Sequence, residues 1–178
     1  MSRTNPFKEK RRSANRTLLM YGEGLGEEMF LKHLRKLYSR DSGVAVTIRN
    51  GKGGNATNII LCAVNDPGAY DRKIVILDND KGEKEMNQAR TEARRRKIEL
   101  IENSPCLEAT LLTILRSGQS FSIKTSQWCK NEFESNYLDK KKRTELDGYD
   151  RLFPKTILDR QQTKVPELHI LISLMKNQ

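Results

Sequence analysis

Two acidic clusters set out the chemistry this chain could perform. Glu23-Gly-Leu-Gly-Glu27 follows the apolar run Thr17-Leu-Leu-Met-Tyr21, and Asp78-Asn-Asp80 follows Lys73-Ile-Val-Ile-Leu77. Each run reads as a buried strand, so the carboxylates fall where strands end. In a parallel sheet both ends open onto one edge, where α/β folds keep their active sites. On an extended segment Asp78 and Asp80 would project to the same side. Two such carboxylates ~5 Å apart repel by roughly 3 kcal/mol at an effective dielectric of 20. A hard cation such as Mg²⁺ or Mn²⁺ would relieve that repulsion. The competing reading is local, since Asp-Asn-Asp-Lys-Gly also has good turn chemistry. Glu23 favours the metal: it joins the aspartates if the two strands are neighbours. Glu27, one helical turn on, offers a further ligand or a general base, or a first-turn carboxylate favoured by the helix dipole.

The elements that must position these groups alternate along the chain. Strands are expected at 17–21, 44–49, 73–77 and 98–101. Helices are expected at 26–39, where Met29, Phe30, His33, Leu34 and Leu37 share a face, and at 56–64 and 83–97. This βαβαβαβ order predicts an α/β fold with a parallel sheet of about four strands and helices on both faces. A leucine-striped helix is expected after Asn103-Ser-Pro105, opened by Ser104 or Pro105. Residues 119–163 are polar, with Trp128, Phe133 and Tyr137 as packing anchors, and a last amphipathic helix covers 165–176. The expected organisation is a basic flexible arm at 1–16, an α/β domain at 17–118, and a helical extension at 119–178 packed on it.

Charge points to a polyanion. Against 23 Asp and Glu stand 33 Lys and Arg, a net +10, which favours nucleic acid through counterion release. Lys52 in Asn50-Gly-Lys-Gly-Gly-Asn55, together with that loop's amides, could hold a phosphate, or the segment is a plain flexible loop. Arg94 and Arg95, within the run ending α-helical residues 83–97, and the run Lys140–Arg143 could bind substrate, or simply suit a helix C-terminus and a solvated surface. Lys124 could stabilise transition-state charge. His33 and His169 fall on apolar stripes and are expected to be packed.

Several classes are disfavoured. Gly22-Glu-Gly-Leu-Gly26 approaches a dinucleotide fingerprint, but Glu27 occupies the third glycine's place and Glu23 would repel a pyrophosphate. No phosphate-binding Gly-x-x-x-x-Gly-Lys-Ser/Thr loop is present. Cys62, Cys106 and Cys129 suggest neither a disulfide framework nor a zinc cluster, which fits a reducing cytoplasm. No run approaches the roughly 18 apolar residues of a membrane span.

The strand-Glu23-Gly-helix and strand-Asp78-x-Asp80 pair resembles the two-part signature of the Toprim domain, shared by topoisomerases, bacterial primases and OLD-type and RloB-like nucleases. Glu23-Gly-x-x-Glu27 with Phe30, Asn103-Ser-Pro-Cys-Leu-Glu108 before a leucine-rich helix, and His169 in the last helix look like the RloB-like family in particular. Gly26 departs from it, standing where that family has Thr. The resemblance implies a Toprim-like Rossmannoid sheet and metal-dependent phosphodiester hydrolysis with Mg²⁺ or Mn²⁺. Its catalytic and metal-binding residues would be Glu23, Glu27, Asp78 and Asp80, with Asp78 and Asp80 on one ion and Glu23 with Glu27 on another. Glu108 would be an extra acidic group, or a carboxylate that merely suits its helix start. The implied substrate is nucleic acid, DNA ahead of RNA, in bacterial defence against invading DNA. A separate ATPase and a second copy of the chain stay open as partners. A catalytically silent binding module and a primase-like nucleotidyl transferase are the alternatives.

Overall fold

The computed structural model describes residues 16–177. The arm expected at 1–16 therefore lies outside the described residues, except for Arg16, which opens the first strand. Four strands, β1 (Arg16–Gly22), β2 (Val44–Asn50), β3 (Arg72–Asp78) and β4 (Glu99–Asn103), form one parallel sheet in the order β2-β1-β3-β4. Helix α1 (Leu25–Tyr38) joins β1 to β2, α2 (Ala56–Asn65) joins β2 to β3, and α3 (Glu83–Arg96) joins β3 to β4. Beyond them lie α4 (Leu107–Leu115), α5 (Ser126–Asn136), a 3₁₀ turn at Lys140–Thr144, α6 (Leu146–Leu152), α7 (Lys155–Gln161) and α8 (Pro166–Lys176). The sheet order and its flanking helices are those of a Rossmann-like, Toprim-type α/β fold.

Burial explains why the inner strands read so clearly. In β3, Ile74, Val75, Ile76 and Leu77 are all buried, as a strand covered on both faces requires. Val75 and Leu77 pack with Ile59, Ile60, Met86 and Ala89 of α2 and α3. On the other face Met20, Ile74 and Ile76 join Phe30, Leu34, Leu111, Leu112 and Ile172, in a core that extends to Phe133, Tyr149 and Phe153. Emptying one of these aromatic positions would cost about 3–5 kcal/mol.

The connections run outward from the middle of the sheet. β1 leads to β2 on one side, and β3 leads to β4 on the other. The C-terminal ends of β1 and β3 thus border the crevice where the winding changes direction, which is where open α/β sheets hold ligands.

Four local expectations change. The fourth strand starts at Glu99 and ends at Asn103, because Lys97 takes a left-handed φ of 57° and the Ile98 N–H still bonds the Ala93 carbonyl. The leucine-rich helix starts at Leu107 with an extended Cys106 as its cap, and Ser104 and Pro105 belong to the preceding turn. Trp128 is no buried anchor: Phe121 takes the inner position and Trp128 stacks outside it, 5.9 Å between ring centroids. His169 is exposed on α8. His33 is buried as expected, between Asp150 Oδ1 at 2.9 Å and the Phe153 carbonyl at 2.7 Å.

Candidate metal centre

At the end of β1 the chain turns sharply into α1, and the turn needs Gly22. A Cβ there would lie 2.6 Å from the Glu27 Cβ, closer than real side chains come. That approach brings Glu27, the third residue of α1, back toward the strand end, where its Oε2 accepts the Gly24 N–H at 2.9 Å. Glu23 reaches across to the neighbouring strand. Its Oε2 accepts the Asp78 backbone N–H at 3.2 Å, and its Oε1 meets Lys81 Nζ at 2.9 Å.

Asp78, the last residue of β3, is buried between two helix starts. Its Oδ1 accepts the Leu107 N–H, the first amide of α4, at 2.8 Å, with Asn103 Nδ2 at 3.5 Å. Burial, then the charges of Glu27 and Glu23, push the Asp78 carboxyl up to about 8, against the opposing pull of the Leu107 amide and Lys130. Burial also raises Glu27, with Glu23 adding to it, while the backbone amides pull the other way. Desolvation and like charge therefore act together on one small group of carboxyls.

Asp80 arrives by a different route from the one expected. Asn79 and Asp80 lie in a turn, not on an extended continuation of β3, because the Asn79 N–H bonds the Asn103 carbonyl at 2.9 Å and bends the chain. Asp80 and Asp78 nonetheless face one cation, Lys130 Nζ of α5, at 3.3 and 3.9 Å. Burial weakens that ammonium's hold on its proton, but the two aspartates outweigh it and leave Lys130 raised.

Glu108 is buried in the first turn of α4 and ion-paired with Arg143, whose other nitrogen holds Glu134 at 2.7 Å. Oxygen or sulfur atoms of Asp78, Cys106 and Glu108 all lie within 4.8 Å of one another. Burial pushes the Cys106 thiol up to about 12, and its soft sulfur suits a hard cation less well than oxygen does. The carboxylates are different. Asp78 and Glu27, whose ionisation is opposed by burial and by neighbouring carboxylates, match what a hard divalent cation supplies.

The other expected residues are scattered. Lys52 is exposed at a left-handed φ of 58° in the loop after β2, beside the acidic rim. Three of the loop's amides are already bonded within the protein: those of Gly51 and Gly53 to the Gly22 and Glu23 carbonyls at 2.9 and 2.8 Å, and that of Lys52 to Asn50 Oδ1 at 3.1 Å. Arg94 and Arg95 end α3 at the opposite edge of the sheet, where Arg95 pairs with Glu92 at 2.7 Å. Lys124 is exposed, its ammonium 5.1 Å from the centre of the Trp128 ring. Lys81, Asn103 and Lys130 also stand at the rim without being among the expected site residues; Lys81 directly follows Asp78-Asn-Asp80, the signal that could have found it. Arg143, expected within the run Lys140–Arg143 to bind substrate or to suit a solvated surface, pairs with Glu108 and Glu134.

No family model matches this chain, and no curated protein matches it. Among solved structures it is similar to the C-terminal region of the Burkholderia pseudomallei OLD protein, at 15% identity and a TM-score of 0.38, covering 89% of this chain and 88% of that one. The α/β fold itself is carried by the strand order and parallel pairing described above.

Proposed function

We propose that this protein is a divalent-metal-dependent nuclease of Toprim type that hydrolyses phosphodiester bonds in nucleic acid, DNA ahead of RNA. The observation that carries the reading is the convergence of Glu23, Glu27 and Asp78 at one rim, with burial and mutual repulsion raising Asp78 to about 8. Glu23, Glu27, Asp78 and Asp80 would hold Mg²⁺ or Mn²⁺, and Glu108 would act through Arg143. When bound there, such an ion supplies charge neutralisation at the phosphate and acidifies a water. The chain's own part is to fix Asp78 on the α4 amide, to hold Glu27 on Gly24, and to keep Glu23 between the strand ends. Lys130 and Lys81 are placed to receive phosphate oxygens once their carboxylates turn to a metal. The sequence resemblance to RloB-like proteins supports a role in bacterial defence against invading DNA, with a separate ATPase as a candidate partner.

The test is cleavage of supercoiled and linear DNA with Mg²⁺ or Mn²⁺ by the wild type and by the Asp78→Ala/Asp80→Ala variant. Cutting by the wild type alone is the expected result. Equal cutting by both would mean contamination and would end the reading. A silent binding module would bind DNA and metal without cutting, and a primase-like enzyme would incorporate labelled nucleotides on a single-stranded template.

A further inference from the structure

The segment between α4 and α5 exposes what the core normally takes in. Ile123 is 91% exposed at its tip, and Trp128 is 37% exposed one turn into α5. A single exposed apolar side chain needs no explanation. Trp128, however, belongs to an ordered stack: Arg116 lies 5.5 Å from the Phe121 ring centre, Phe121 stacks on Trp128 at an interplanar angle of 16°, and Lys124 rests 5.1 Å from the indole centre. The base of the stack is rigid. Phe121 is buried, Thr125 caps α5 by accepting the Trp128 N–H at 3.2 Å, and Cys129 and Phe133 anchor the helix in the core. The same helix also reaches the acidic rim, since Lys130, two residues past Trp128, contacts Asp80 at 3.3 Å. Trp128 and Lys130 stand at one level of α5, about 3 Å apart along its axis, on either flank of the buried Cys129.

We infer that Ile123, Lys124 and Trp128 form a docking point for an unpaired nucleobase next to the strand that enters the acidic rim, so that the preferred substrate is single-stranded or distorted nucleic acid. The inference rests on the nuclease reading for its strand, and refines it by naming the substrate class. Charge complementarity selects this occupant: the chain carries a net +10, Lys124 rests over the indole, and Lys130 of the same helix stands at the acidic rim. A base stacks on an aromatic face whatever its identity, and apolar side chains wedge between base steps. Lys124, exposed and flexible, would leave the indole for a phosphate and uncover the ring. The polar and charged surroundings disfavour a purely apolar protein partner.

Trp128 is the chain's one tryptophan, which makes it the probe. Full-length protein in EDTA is titrated with an oligothymidylate and with a blunt duplex of equal length, following indole emission and the anisotropy of a labelled strand. The single strand should quench the emission and the duplex should leave it nearly unchanged. Trp128→Ala should weaken single-strand binding about 5- to 150-fold, the equivalent of 1–3 kcal/mol per stacked base, with duplex binding unaltered. Ile123→Ser, at a position that buries nothing, should weaken it in the same direction without affecting folding. Strand binding with unchanged emission, or equal binding by both variants and the wild type, overturns the inference. So does a dimer that Ile123→Ser converts to a monomer, which would make this face a contact between copies. Stacking in a protein that never cleaves ends the nuclease reading alone; cleavage with no emission change ends this inference alone.

Discussion

The two edges of the sheet carry comparable numbers of charges and put them to opposite use. At the edge where β3 and β4 begin, Arg72 forks onto Glu99 at 2.6 Å, with both side chains nearly half exposed. Arg95 and Arg96 share Glu92, whose carboxyl their hydrogen bonds hold below the usual range. Each group there is stabilised in its charged form by an opposite partner and by water. At the other edge, Glu27 and Asp78 lose water and face each other beside Glu23, and the charged forms of Glu27 and Asp78 are disfavoured. Charge alone does not mark a site; charge held against desolvation and like neighbours does.

The comparison breaks most visibly in activity. Asp78→Ala should lower cleavage by at least about a thousandfold, in line with the several kcal/mol of transition-state stabilisation a metal site supplies. Mn²⁺ should raise the melting temperature of the wild type and not that of this variant, measured by thermal denaturation. Next comes the turn that crowds the acids. Gly22→Ala should cost about 1–3 kcal/mol of stability, as overpacking does, because its new Cβ meets Glu27 and the backbone beyond it. Urea denaturation measures this.

A smaller effect separates stability from activity. Asp78 has a folded value of about 8 against an ordinary value near 4, so the native state holds its proton more tightly than the unfolded chain does. That contribution is complete below pH ~4 and is lost as pH rises through about 8. In EDTA the melting temperature should therefore fall over this window. Asp78→Asn, which can still accept the Leu107 N–H, should flatten the fall and raise the melting temperature at neutral pH, by about 2–4 °C for each kcal/mol relieved. At the opposite edge, Glu92→Ala should leave melting temperature and cleavage unchanged, as exposed pairs usually do.

How much of this could be read in advance follows from burial. β1 and β3 were legible because both faces of each are covered, so their apolar runs are continuous, and α1 was legible because fourteen residues give its stripe several repeats. The carboxylates were visible as residues at strand ends. Their cations were mostly not. Lys130 comes from α5, which buries only Cys129 and Phe133, and Arg143 from the 3₁₀ turn, which buries nothing, so neither segment has an apolar stripe long enough to fix which way its cations face. The bend that carries Asp80 off the line of β3 depends on a carbonyl of β4, a tertiary contact with no local signature.

Lys81, Lys130 and Arg143 reach the acidic rim from three separate stretches of chain, each already paired with a carboxylate. Ion uptake at this rim, on the proposed function, would be an exchange in which tethered counterions are evicted but cannot diffuse away. Apparent affinity would then read weaker than the ligand set alone suggests. The evicted groups would stay within reach of an incoming phosphate, which would favour inorganic ion first and polymer second.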